Sequence, residues 1–249
     1  IWAGVGRSAA TAERARIAGI TDVEEPAALC HEADIIVSIC PPAAAIDVAD
    51  QVHSFGFGGI YIDANAVSPA TSKAIGARFD RFIDGGVIGP PATNPGTTRM
   101  YLAGPDAAEV AAHWAGTALD VRAISDSAAD GAASALKMAY AGWTKGSSAL
   151  LLAVNALAES TGVTEALRAE WDLSQPGLTG RSQRLATTVS PKAWRFAGEM
   201  TEIADTMIEA GLPGGFHIGA SDLYQRMAGF KDDPEPPLER VLDTILHPE

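Results

Sequence analysis

Short apolar runs of strand length recur along the first half of the chain and then stop. Residues 34–40 form a near-continuous apolar run, 59–65 and 81–87 are read as strands of the same kind, and 100–104 and 120–124 read as a fourth and a fifth strand. That is the pattern of strands buried on both faces. Residues 1–5 are apolar in the same way and read as the end of a further strand. Between the runs lie helical segments, at 9–18, 26–33, 43–53 and 105–115, with another opened by Ser68 as N-cap and Pro69 in the first turn. Strand alternating with helix predicts βαβ units and a mostly parallel sheet with helices on both faces. From Ser127 onward the period changes to helical, with segments at 127–161, 164–171, 181–187, 191–210 and 216–229 broken by Gly162, Pro176, Gly177 and the 213–215 Pro-Gly-Gly run. The expected organisation is an α/β domain over 1–125, an all-α domain over 126–230 and an acidic tail over 231–249, the last being an exposed linker at 231–237 followed by one short helix.

Composition narrows the function classes. Of 249 residues, 47% are hydrophobic, enough for sizeable cores. The net charge of −13 argues against nucleic acid or an anionic membrane as a partner. Two cysteines, Cys30 and Cys40, make a disulfide framework or a zinc site improbable, and a reducing cytoplasm is the expected compartment. No apolar run reaches the ~18 residues of a membrane span.

Parallel sheets bind ligands at the carboxyl ends of their strands. Gly6-Arg7-Ser8, Pro41-Pro42, the segment 65–68 and the stretch from Gly85 to Gly96 all fall at such ends. An Arg after the second strand of a dinucleotide fold pairs with a 2′-phosphate, whereas an acid there accepts from the 2′-hydroxyl. Arg7 and Ser8 fit the former; the plainer reading is a solvated arginine and an N-cap. Pro41-Pro42 either opens a loop toward a ligand or simply starts a helix. Gly85, Gly86 and Gly89 would let backbone approach a ligand, giving 86–89 the character of a substrate wall; a turn packed under the second domain is the alternative.

Lys137 stands out on an apolar helix. Snorkelling to the surface is the common fate of such lysines. Asp130, Ser134 and Thr144 share its face, at i, i+4 and i+14 counted from Asp130, as in a polar strip lining a cleft between two domains. A lysine there can serve as general acid or base. Tyr140 and Trp143 would shape a substrate pocket. His217, opening a helix after two glycines, could donate to a substrate or be structural. Lys145, between Thr and Gly, reads as solvated.

The segments 38–42, 61–69, 84–91 and 136–146 together resemble the β-hydroxyacid dehydrogenase superfamily, which includes 3-hydroxyisobutyrate and 6-phosphogluconate dehydrogenases and has imine reductases as relatives. The resemblance spans essentially everything but the acidic tail. It implies a Rossmann-type parallel sheet domain followed by an all-α C-terminal domain. It places a first βα unit with its glycine fingerprint, roughly 30 residues, upstream of Ile1. It implies NADP rather than NAD, held by Arg7, Ser8, the loop of Cys40, Pro41 and Pro42, and Asn65. It implies Lys137 as the catalytic lysine, a small-molecule substrate held near Gly86, Val87, Ile88, Gly89, Tyr140, Trp143, Thr144 and His217, and a homodimer formed through the helical domain. Three positions depart from the family pattern: Ile88 stands where a serine is usual, Ala141 where an asparagine is, and Gly198 where a lysine is, with the following acid kept as Glu199. These departures favour a bulkier or less polar carbonyl or imine over a small 3-hydroxy acid. They also leave open a cofactor-binding scaffold without chemistry, or a true hydroxyacid dehydrogenase whose substrate carboxylate is held by backbone N–H groups of 85–89.

Overall fold

The computed structural model describes residues 1–248 and divides into two compact units, 1–137 and 138 onward. The expected boundary at 125/126 lies earlier than this division. The first unit runs α1 (Ala9–Ile17), α2 (Pro26–Glu32), β1 (Ile35–Ser38), α3 (Ala45–Ser54), β2 (Ile60–Asp63), α4 (Pro69–Gly76), β3 (Phe82–Ile88), β4 (Thr98–Ala103), α5 (Ala107–Ala112) and β5 (Leu119–Ser125). The first turns of α6 (Ala132–Ser160) complete it.

The five strands form one sheet in chain order. β1, β2 and β3 are parallel, β3 and β4 antiparallel, and β4 and β5 parallel. The reversal is made by the short 89–97 connection, which carries no crossover helix and so returns the chain alongside itself. Gly89 turns there at φ +126, where a Cβ would sit 2.4 Å from the Thr97 carbonyl oxygen. Side chains alternate across the sheet as the pleat requires. Ile36 and Tyr61 pack with Ala45, Ala49, Val52 and Ile75 on one face. Ile62, Ile83, Met100 and Leu102 pack with Ala107 and Val110 on the other.

One expectation for this unit is corrected. Residues 1–5 form no strand of the sheet; Trp2 makes an isolated bridge to Asp22, and the backbone groups of Trp2 and Val5 are taken by the 21–24 segment. Gly85 and Gly86 lie inside β3, as the strand expected at 81–87 has them, and the glycine-rich connection begins only after Ile88.

The second unit holds the rest of α6, then α7 (Thr164–Ser174), α8 (Leu178–Val189), α9 (Ala193–Glu209), α10 (Gly215–Arg226) and α11 (Leu238–Leu246). α9 packs on α10, burying Met200, Ile203, Ala204, Ala220 and Tyr224. The segment read as an acidic tail folds with them. α11 packs on α8 and α10, with Val241, Leu242 and Ile245 buried. Arg226 donates to the Ile245 carbonyl at 2.9 Å. At about 1.5–3 kcal/mol for each buried aliphatic side chain, α11 is an integral helix despite its acidic lead-in.

Candidate functional site

The first unit gathers its chemistry on β3 and the start of α6. Asp84, Gly86 and Ile88 share one face of β3 by the two-residue period. Asp84 is completely buried. Its Oδ2 accepts from the backbone N–H of Ala133 at 2.8 Å and of Ser134 at 3.0 Å. Its Oδ1 accepts from the hydroxyls of Ser134 at 2.5 Å and of Ser72, on α4, at 2.8 Å. Burial pushes this carboxyl above its ordinary range, and the four donors pull against that. An ionised carboxylate is a pure acceptor, which is the form these four donors match.

Gly86 lets α6 lie against the strand: a Cβ at 86 would be 2.7 Å from the Ala133 carbonyl oxygen and 3.2 Å from Lys137 Cβ. Lys137 is half-buried, and its ammonium donates to the Val87 carbonyl at 2.6 Å, near the carboxyl end of β3. Of the expected polar strip, Ser134 spends its hydroxyl on Asp84, Thr144 bonds back to the Tyr140 carbonyl at 3.0 Å, and Asp130 precedes the helix. Ile88 is buried.

At the carboxyl ends of β1 and β2, Asn65 is buried and acts as a brace. Its Oδ1 accepts from the Cys40 N–H at 2.6 Å, and its Nδ2 donates to the Ser38 hydroxyl at 3.1 Å and to Asp63. This ties the loop of Cys40, Pro41 and Pro42 to β2. Burial raises the Cys40 thiol, while the Ser38 hydroxyl and the positive charge of Arg7 oppose it. Arg7 is exposed. Ser8 caps α1, accepting from the Thr11 N–H at 3.3 Å. A separate cavity of about 700 Å³ opens at the other end of β3, lined by Lys73, Arg81, Asp106 and Asp126 among others.

In the second unit Tyr140 and Trp143 are exposed, and Ala141 is buried. His217 is buried over two glycines of α6: its Nε2 would lie 3.4 Å from a Cβ at Gly142 and 3.5 Å from one at Gly146. Its Nδ1 finds no hydrogen-bond partner among the described residues. Lys145 is not solvated. It forms a buried ion pair with Glu199 of α9, and its ammonium sits 4.5 Å from the Phe196 ring centroid. Phe196 and Glu199 sit three apart on one helical face, which brings both to the same lysine; spacing from Lys145 itself carries no such signal. Gly198 faces open space. Asp84 was the other residue missed, since its partners lie 12 positions away at Ser72 and about 50 away at Ala133 and Ser134. Among the described residues no cluster of His, Cys, Asp and Glu could hold a metal ion, and no helix is long and apolar enough to cross a membrane.

An α/β unit with a mostly parallel sheet followed by a helical unit is the arrangement this chain shares with its structural neighbours. The fold is shared with solved 3-hydroxyacid dehydrogenase-like and imine reductase structures. A conserved protein of unknown function described as structurally similar to 3-hydroxyacid dehydrogenases superposes with a TM-score of 0.62 at 25% identity, covering 89% of this chain and 86% of its own. The Mycobacterium tuberculosis 3-hydroxyisobutyrate dehydrogenase, in complex with L-serine, gives 0.59 at 16% identity over 97% and 89% of the two chains. A variant of the Myxococcus stipitatus imine reductase with NAD+ gives 0.52 at 17% over 99% and 90%. Residues 158–227 match a domain of unknown function, DUF1932. An uncharacterised 28.5 kDa protein from Methanothermus fervidus is 31% identical over 165 residues, 65% of this chain and 62% of that protein's length.

Proposed function

We propose that this protein is an NADP-dependent oxidoreductase acting on a carbonyl or imine, with Lys137 as general acid and base. The observation that carries this reading is the Lys137 ammonium held 2.6 Å from the Val87 carbonyl near the carboxyl end of β3. The shared fold supports it, as do the neighbours with this fold: a 3-hydroxyisobutyrate dehydrogenase and an imine reductase variant complexed with NAD+. When bound, the nicotinamide cofactor supplies the hydride. Lys137 gives a proton to the carbonyl oxygen or imine nitrogen as hydride arrives, and takes it back in the reverse direction. The preference for NADP over NAD rests on exposed Arg7, a cation suited to a 2′-phosphate. Asn65 acts indirectly, holding the Cys40 loop from beneath.

Buried Ile88 and Ala141 offer no polar side chain to a small carboxylate, which favours a bulkier, less polar substrate. Tyr140 and Trp143 supply apolar surface for it, and Val87, Gly89, Thr144 and His217 are the further substrate-side residues in this reading; Gly86 packs against α6 instead. Trp143, Leu150 and Leu157 recur every seven residues on α6 and are exposed, in keeping with a homodimer formed through the helices.

Replacing Lys137 by Met tests the reading. Turnover should fall about 10²–10⁴-fold, with NADPH affinity by nicotinamide fluorescence nearly unchanged. Undiminished turnover removes the catalytic role. A second reading, a cofactor-binding scaffold, draws on the apolar Ile88 and Ala141; NADPH binding with no oxidation across a broad carbonyl and imine panel would favour it.

A further inference from the structure

We infer that Asp84 is the positioning residue for Lys137; the inference rests on the catalytic reading of that lysine. The first N–H groups of a helix have no partner within it, and a cap is ordinarily supplied by the residue just before the first turn. α6 has no such local cap. Gly131 turns into it at φ +58, and its carbonyl accepts from the Ala135 N–H. Gly131, Ala132 and Ala133 carry no capping group. The N–H groups of Ala133 and Ser134 are taken instead by Asp84, from a strand about 50 residues earlier.

This transfers control of the helix start from its own sequence to β3. Asp84 fixes the turn at 133–134, Gly86 lets that turn approach the strand, and Val87 receives the lysine that follows one turn on. Three successive features of one strand thereby set where the Lys137 ammonium stands. The Ser134 and Ser72 hydroxyls saturate Oδ1, so the carboxylate cannot swing away without losing both. A helix fastened by its own N-cap would be as stable but would carry no such register with β3.

Asp84→Asn replaces one of the two acceptor oxygens with a donor, so either the two N–H groups or the two hydroxyls lose their acceptor. In the complete chain, trace acetylation by acetic anhydride reads the reactivity of Lys137 against exposed Lys192, independently of turnover. D84N should change the relative labelling of Lys137 by about threefold or more. It should lower kcat by about tenfold or more, as misplacement by about 1 Å can, with NADPH affinity within about twofold. S134A, which loses one bond of the four, should shift both readouts in the same direction and less. A folded D84N with unchanged Lys137 labelling and unchanged kcat overturns the inference; if D84N does not fold, unchanged labelling in S134A does so. The Lys137→Met control separates the two ideas. If that variant keeps its turnover, the catalytic reading fails, while a labelling shift in D84N still establishes that Asp84 positions the lysine.

Discussion

A methyl group at position 86 would sit 2.7 Å from a carbonyl oxygen of α6 and against the stem of Lys137. Glycine is therefore required there for close packing of helix on strand. Gly86→Ala should destabilise the chain by about 1–3 kcal/mol and cut turnover, read together by urea unfolding and steady-state assay. Gly198 is the contrast. It lies inside α9 with open space beside it, so Gly198→Ala should stabilise the chain by about 0.5–1 kcal/mol. The glycine-rich stretch was visible in the sequence as an unusual feature. Whether its glycines face a ligand or a helix was not, because both demand the same missing Cβ.

At the level of elements, α6 is joined to α9 by a buried charge pair. The side chains of Lys145 and Glu199 are 15% and 8% exposed. Two charges taken out of water repay their desolvation only together. Glu199→Gln should therefore cost about 3–5 kcal/mol, by leaving an ammonium buried beside Phe196. Replacing Lys145 and Glu199 together by Met should come close to the parent stability. Urea titrations of both singles and the double give the coupling, and additive costs would contradict the account. Helix positions and the Ser68–Pro69 start of α4 were legible, since caps and apolar periods act locally. The pairing of Lys145 was not: its neighbours in sequence are Thr144 and Gly146, and its partner is 54 residues away.

On the scale of the whole molecule, the net charge of −13 leaves few cations to meet an anionic cofactor. Arg7, exposed just before α1, is the cation the NADP reading assigns to the 2′-phosphate. Arg7→Ala should weaken NADPH binding by about tenfold or more, the worth of a charge-assisted contact to phosphate, and leave NADH nearly unaffected. Fluorescence titration with each nucleotide decides this, and equal losses for both would remove the 2′-phosphate role. The C-terminal segment carries a related lesson. Its acidic, proline-rich lead-in reads as an exposed tail, yet α11 buries Val241, Leu242 and Ile245 at positions one helical face apart.

The sequence by itself determined the alternation of strands and helices, the switch to helices after Ser127, and the singularity of Lys137, because these follow from periods and local caps. Only the tertiary structure decided that 1–5 stays outside the sheet, that Gly86 packs against α6, that Lys145 is buried against Glu199, and that Asp84 caps α6 across about 50 residues. Each of these depends on which distant group meets a given backbone or side-chain atom. A buried carboxylate or ammonium acquires its partners from packing, and nothing in its immediate neighbours specifies them.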